Sequence, residues 1–421
     1  MKLPLRALLV AAVLAGCQTT NASPVTGSVE GNSVAAAPAA PSQSFPEWLA
    51  GLRAEALSQG IRPATFDRAF ARVQLRDRVR ELDLSQPEFT RQPWQYLDSA
   101  VSDVRVRQGR ERIQQNQAML NRVSQRAGVP VEILVAFWGI ETDYGRETGG
   151  MPVVDALTTL AYEGRRAAYF RGELLAALKI LDSGDIPLER MNGSWAGAMG
   201  MTQFMPTIFL KHAVDEDGDG RRDIWGSLPD VFASTAKFVQ ANGWRTGERW
   251  GEEVALPAGF PYEQAELTIT KPVSEWARLG VRPVQGGQLA GEGNAAILVL
   301  AGQNGPAFLV RENYRAIMRY NPSTSYALAV AILSDRLAGR PGVQAAWPRH
   351  ELPLSKDERI ELQQRLATMG FEPGTADGIV GANTRNAVRR FQKSIGVAPD
   401  GFATKGLLER LRQASLTTQA G

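Results

Sequence analysis

Residues Val131–Tyr144 read VEILVAFWGIETDY. From Ile133 to Ile140 the run is apolar, with no proline inside it and one late glycine, Gly139, and it ends abruptly on a carboxylate, Glu141. Pro130 stands at its start, where a missing N–H does no harm. The stretch predicts a buried helix whose C-terminal part delivers Glu141 to the wall of a cleft. Apolar surroundings disfavour the charged form of a carboxylate, so its pKa rises. A Glu raised in this way can serve as a general acid near neutral pH. The stretch by itself also fits a plainer reading, in which Glu141 marks where the helix surfaces or pairs with Arg146.

A chain of 421 residues is long enough for two or three domains and a sizeable core. Its 44% hydrophobic and 22% charged residues describe an ordinary globular protein. The net charge of +3 falls to +1 without Lys2 and Arg6, and no dense Lys/Arg tract is present, which argues against nucleic acid as a partner. Residues 1–16 predict an export signal, with Lys2 and Arg6 before the short apolar run Ala7 to Ala15. That run is too short to span a bilayer permanently. Leu14-Ala15-Gly16-Cys17 resembles a bacterial lipobox, which implies cleavage before Cys17 and lipid attachment to it; an ordinary leader that contains a cysteine is the alternative. Cys17 is the chain's one cysteine, so an internal disulfide is excluded. Gln18 follows it, which in lipoproteins implies transfer to the periplasmic side of the outer membrane. The rest of the segment 17–44 is Ala, Ser, Thr, Pro, Asn and Gly with almost no large apolar side chain, and is expected to be a tether.

From Phe45 helical patterns dominate: Pro46 to Leu57, Pro63 to Phe70, the long polar Arg105 to Arg126, Arg165 to Leu181, Leu228 to Asn242, Arg311 to Met318 and Ser325 to Leu337. Strand signals are few, at Glu266 to Thr270, Ala296 to Leu300 and Ala307 to Val310. Gly/Pro punctuation between Ala255 and Gly293 predicts a small, loop-rich subdomain. The body is therefore mostly α with a minor sheet.

Three stretches besides Glu141 carry chemical content. In Gly193 to Pro206, GSWAGAMGMTQFMP, small residues let the backbone approach a ligand or a neighbouring helix. Ser194 and Gln203 lie beside Trp195 and Phe204 there, and sugars are bound by such aromatic faces with amides and hydroxyls; glycines packing a Met-rich core are the alternative. In DEDGDGRRD, Asp215, Asp217 and Asp219 with Gly220 at the sixth position form the front half of an EF-hand loop, with the Arg221 carbonyl and Asp223 next in order. The twelfth position is Gly226 rather than Glu, and Asp230 supplies the carboxylate if the loop runs longer. The expectation is a structural calcium, against a plain acidic turn neutralised by Arg221 and Arg222. In Tyr320-Asn321-Pro322-Ser323-Thr324-Ser325-Tyr326, Asn-Pro stops a helix and Ser323 caps the next, and the sharper reading also places Asn321 and Tyr326 in the cleft.

Together, Gly139-Ile140-Glu141-Thr142, Tyr144-Gly145-Arg146, Asp155 to Leu160, Arg165-Arg166, Tyr169-Phe170 and the three stretches above resemble the membrane-bound lytic murein transglycosylase B family, of the soluble-lytic-transglycosylase B type. The resemblance implies a lysozyme-like α+β catalytic domain with extra helices and a small β-containing subdomain, over residues 45–339. It places the family's catalytic Glu on Glu141 and its substrate contacts on Ser194, Gln203, Asn321, Tyr326 and, by spacing, Tyr96. It implies cleavage of the bond between N-acetylmuramic acid and N-acetylglucosamine in peptidoglycan glycan strands, with 1,6-anhydromuramic ends and no cofactor for catalysis. Glycosidases usually need two carboxylates; here Asp143, two residues on, points away from Glu141 on a helix, so one Glu acting as acid and then base fits. A hydrolytic muramidase using Asp223 is the first alternative and a non-catalytic peptidoglycan-binding scaffold the second.

After a linker at 340–353, residues 354–415 repeat a unit of helix, Asp-Gly turn and helix. Asp377-Gly378 and Asp400-Gly401 each lead to a helix expected to be capped by Thr, at Thr384 and Thr404. This resembles the three-helix peptidoglycan-binding domain, and with no catalytic grouping in it the expected role is binding.

Overall fold

The computed structural model describes residues 43–85 and 92–419. The signal segment 1–16, Cys17 and nearly all of the tether lie outside the described residues. The chain divides into two compact units. The first holds the segment before 91, Ser102–Thr246 and Ile317–Ala338; the second holds Arg91–Val101, Gly247–Ala316 and Gly339–Gly421.

The first unit is built around helix Val131–Thr142, in which every residue but Glu132 is buried. A helix apolar all round must be surrounded. Its neighbours are Thr324–Leu337, Asp103–Gln115, Gln117–Ala127 and Leu228–Ala241. A second core lies among Phe45–Ser58, Pro63–Phe70, Val153–Glu163, Ala167–Ser183 and Pro206–His212. Buried Asp155 anchors the segment before the second of these cores by accepting from Arg76 Nε at 2.8 Å. Two short strands, β1 (Met151–Pro152) and β2 (Asn192–Gly193), pair antiparallel.

The single long helix expected from Arg105 to Arg126 is two helices, broken at Asn116. The Asn116 side-chain amide donates to the Arg112 carbonyl at 2.9 Å, offering the backbone an alternative to the helical ladder.

The second unit contains an antiparallel sheet of β3 (Gly251–Ala255), β4 (Lys271–Pro272), β5 (Arg282–Pro283), β6 (Asn294–Val299) and β7 (Ala307–Val310), in the order β4-β6-β7-β3-β5. The expected strands at Ala296 to Leu300 and Ala307 to Val310 are present as β6 and β7. The third is not: Glu266 to Thr270 alternates like a strand, but the Ile269 N–H closes a turn onto the Glu266 carbonyl at 3.0 Å. β3 carries little strand signal, because its GEEVA sequence hides the alternation behind a glycine and two carboxylates.

Residues 340–353 are fastened rather than loose. Glu253 accepts from the Gln344 and Ala345 N–H groups at 2.7 and 2.8 Å, Arg349 pairs with Asp98 through both nitrogens, and Trp347 lies against Trp94. The C-terminal helices Lys356–Thr368, Ala382–Ser394 and Lys405–Gln419 enclose Leu362, Leu366, Val388, Phe391, Leu408 and Leu411. Thr404 caps the last helix, accepting from the Leu407 N–H at 3.1 Å. Thr384, expected to cap the middle one, sits inside it: Gly381 holds the cap position, and the buried Thr384 hydroxyl donates to the Pro373 carbonyl. Among the described residues, no helix is long and apolar enough to cross a membrane.

Candidate active site

Glu141 is 8% exposed and lies one residue before the end of its helix. Burial raises its pKa from 4.5 to about 8, and the Tyr326 hydroxyl, which donates to Glu141 Oε1, pulls in the opposite direction. No charged side chain of the described residues is among these influences. Arg146, the expected alternative partner, pairs with Asp143 instead, as does Arg105.

The helix ends in a hook that fixes Glu141. Asp143 and Tyr144 both take left-handed backbone angles, φ 50° and 62°, which side chains other than glycine rarely adopt. Such strain persists only when its surroundings over-determine it. Here the Tyr144 ring folds back over Gly139, where a Cβ would come within 2.8 Å of it, and its hydroxyl donates to the Arg105 carbonyl at 2.8 Å. Thr142 ties the same end to the small-residue loop: its hydroxyl reaches the Met201 carbonyl at 3.2 Å and accepts from the Gly145 N–H at 3.1 Å.

That loop carries Ser194 and Gln203, each 8% exposed. Ser194 Oγ accepts from the Ala196 and Ala198 N–H groups at 3.3 and 3.1 Å, which leaves its proton to donate. Gln203, at φ 52°, donates its amide to the Thr148 and Gly200 carbonyls at 3.0 and 2.8 Å, which leaves its carbonyl oxygen to accept. The loop's glycines serve packing: Gly197 lies against Leu157, and Gly200 against the Ile224 carbonyl, where a Cβ would stand 2.5 Å away. Glu173, a buried carboxylate raised above its usual pKa by desolvation, accepts from the Thr207 N–H and hydroxyl at 2.9 and 2.7 Å, and so pins the helix that follows the loop.

Asn321 and Tyr326 flank the start of helix Thr324–Leu337. Asn321 Oδ1 accepts from the Ser323 N–H at 3.0 Å, and Ser323 Oγ caps the helix at the Tyr326 N–H. The turn therefore sets the position of the hydroxyl that holds Glu141. Beneath it Tyr320 is packed by Phe137, Phe204 and Phe238 and donates to the Thr202 carbonyl. Burial, with Glu141 adding to it, raises the Tyr320 pKa well above its ordinary value. Tyr96 lies half-buried in helix Pro93–Ala100 of the second unit, apart in the chain's division from the unit that holds Glu141.

In the acidic loop, carboxylate oxygens of Asp215, Asp217 and Asp230 lie within 4.8 Å of one another. Asp230 is fully buried, accepts from the Glu216 and Asp223 N–H groups at 2.8 and 2.7 Å, and has its pKa raised by burial. Asp219 accepts from the Arg221 N–H at 2.8 Å, and Asp223 from the N–H groups of Trp225 and Gly226 at 2.9 and 2.8 Å. Arg222, expected to neutralise the loop, pairs with Asp185 at 2.6 Å.

The model of the transglycosylase SLT domain matches residues 44–335, and that of a peptidoglycan binding domain matches residues 355–411. The chain belongs to the SLT transglycosylase family. It is 38% identical over 227 residues to the membrane-bound lytic murein transglycosylase B of Escherichia coli, covering 52% of this chain and 60% of that protein. The chain thus spans less than two thirds of this curated relative. Among solved structures of the family, SltB3 of Pseudomonas aeruginosa in complex with NAG-anhNAM-pentapeptide superposes with a TM-score of 0.85 at 52% identity, over 88% of this chain and all of that one. The Escherichia coli transglycosylase SLT35, in complex with calcium, gives 0.60 at 32% identity, over 69% and 92% of the two chains.

The raised pKa of Glu141 has a stability consequence. Above pH 4.5 the unfolded chain ionises this group while the folded chain keeps its proton up to about pH 8, so stability falls through that interval and levels off above it. Glu141→Gln should therefore stabilise the protein by on the order of a few kcal/mol near pH 8, with the gain shrinking towards zero at pH 4.5. Urea unfolding over a pH series measures this; a gap independent of pH would contradict it.

Proposed function

We propose that the chain is a lytic transglycosylase that cleaves the β-1,4 bond between N-acetylmuramic acid and N-acetylglucosamine in peptidoglycan. The observation that carries the reading is Glu141: a carboxyl held protonated by burial, with a hydroxyl on one oxygen and no charged group of the described residues shifting it. Protonated Glu141 donates to the leaving glycosidic oxygen as the C1–O bond breaks. The muramic N-acetyl carbonyl stabilises the cationic C1, with the N-acetyl group oriented by the Ser194 hydroxyl as donor and the Gln203 carbonyl oxygen as acceptor of its N–H, and with Asn321 a further substrate contact. The ionised Glu141, steadied by Tyr326, then takes the proton of the C6 hydroxyl as that oxygen bonds to C1. The product is a 1,6-anhydro end, the acid is regenerated, and proximity favours the internal nucleophile over water. Tyr96 is assigned to substrate contact on resemblance alone.

A hydrolytic muramidase would need a second carboxylate, and Asp223 is committed to the turn at Trp225 and Gly226. A scaffold would gain nothing from a costly buried acid. In this reading the C-terminal module holds the enzyme on peptidoglycan, and Cys17 carries the lipid that anchors it on the periplasmic side of the outer membrane. Incubation of purified sacculi with the protein should release muropeptides lighter by one water than hydrolytic products, and Glu141→Gln should release none. Hydrated ends from the wild type would overturn the transglycosylase reading.

The acidic loop suits a hard cation. Asp215, Asp217 and Asp230 converge as three carboxylate donors, and the order of the loop would assign Asp219, the Arg221 carbonyl and Asp223 to the remaining positions. Calcium there would brace the loop, leaving catalysis to the protein's own groups. Added calcium should raise Tm by several degrees and chelation should reverse it, with Asp217→Ala abolishing the response; an unchanged wild-type Tm would reject the site.

A further inference from the structure

The C-terminal module contains two copies of one turn. In the first, Gln363 Nε2 donates to Asp377 Oδ1 at 3.2 Å, the Gly378 N–H to Gln363 Oε1 at 2.8 Å, and the Ile379 N–H to Asp377 Oδ1 at 2.8 Å. In the second, Gln392 Nε2 donates to Asp400 Oδ1 at 2.6 Å, the Gly401 N–H to Gln392 Oε1 at 2.8 Å, and the Phe402 N–H to Asp400 Oδ1 at 2.9 Å. The two glycines have φ of 79° and 75°. Each circuit uses one oxygen of its aspartate and leaves Oδ2 outside it.

The second copy shows what such a turn receives. The main-chain N–H of Gln303 donates to Asp400 Oδ2 at 2.9 Å. The preceding residue is Gly302, whose place admits no side chain: a Cβ there would run into the Asp400 carboxylate and, at 2.9 Å, into Phe402. The turn thus grips a backbone amide next to a very small residue, with an apolar side chain two positions after the aspartate as its wall. Arg389, beside the turn, secures the seat by pairing with Glu266 at 2.8 Å. In the first copy the wall position is Ile379, which is 68% exposed. An exposed isoleucine alone means little; here its counterpart covers a bound peptide segment.

We propose that the Asp377-Gly378-Ile379 turn is a docking site for the stem peptide of peptidoglycan. Asp377 Oδ2 accepts a main-chain N–H of the stem, and Ile379 covers an adjacent small side chain. This rests on the reading that the module binds peptidoglycan, and deepens it by naming the peptide rather than the glycan as what this turn holds. Stem peptides offer successive amides beside small residues, D-alanine among them; Gly302 holds φ 65°, the left-handed region a D residue favours, and a D residue carries its methyl away from the position closed to an L side chain. A sugar face would call for an aromatic ring, and the first turn presents an aliphatic side chain instead.

The test uses the full chain carrying Glu141→Gln, so that ligands survive. Hydrogen–deuterium exchange is followed with a disaccharide-pentapeptide and with the peptide-free disaccharide. The site predicts protection at residues 377–380 with the peptide-bearing ligand and none there with the other. Asp377→Asn keeps an oxygen for the circuit while replacing the second oxygen by a donor, and Ile379→Ser removes the exposed wall. Each should weaken adsorption to intact sacculi by roughly tenfold, with adsorption to peptide-stripped glycan strands unchanged. Protection elsewhere in residues 355–411 would reject this site while keeping the module as a binder. No protection anywhere in the module would reject that reading too. Equal losses on stripped strands would show glycan recognition and overturn the proposal.

Discussion

Everything in the first unit serves the cost of keeping one carboxyl out of water. Burial alone would make Glu141 a poor base, because ionising it in an apolar wall is expensive. A hydroxyl on one oxygen lowers that expense without cancelling it, so the group can hold a proton near neutrality and still release it. A nearby cation would have fixed the charged form; among the described residues, Arg105 and Arg146 pair with Asp143.

Position matters as much as protonation. Glu141 sits at a helix end, where backbones fray, and the fold counters this from three sides. The strained Asp143-Tyr144 hook packs into a notch left by Gly139. Thr142 joins the helix to the loop of Ser194 and Gln203. The Asn321–Ser323 turn sets Tyr326. The loop is in turn held by Glu173, so acid and loop share one rigid frame.

The buried helix and its terminal acid were legible because an unbroken apolar run of that length can satisfy its backbone and bury its side chains in few ways besides a core helix. The sheet was half legible: β6 and β7 are apolar runs, whereas β3 mixes glycine and glutamates and Glu266 to Thr270 imitates a strand over five residues. The break at Asn116 depends on one side chain competing with the backbone, which composition does not announce. Contacts between distant residues were beyond reach. Nothing local to Thr142, Glu173 or Tyr144 tells which partners the chain will bring to them. The Asp-Gly repeat was visible, but its use was not, since only the folded chain puts Gln303 on Asp400.

The most direct measurement of the central claim is the pH dependence of kcat/KM in the wild type and in Tyr326→Phe. The account predicts an alkaline limb near pH 8 in the wild type, where Glu141 loses its proton. It predicts that removing the hydroxyl moves that limb upward, since a hydrogen bond to the charged form lowers a pKa. A wild-type limb near the ordinary value of 4.5, or a limb that stays in place in the variant, would contradict it.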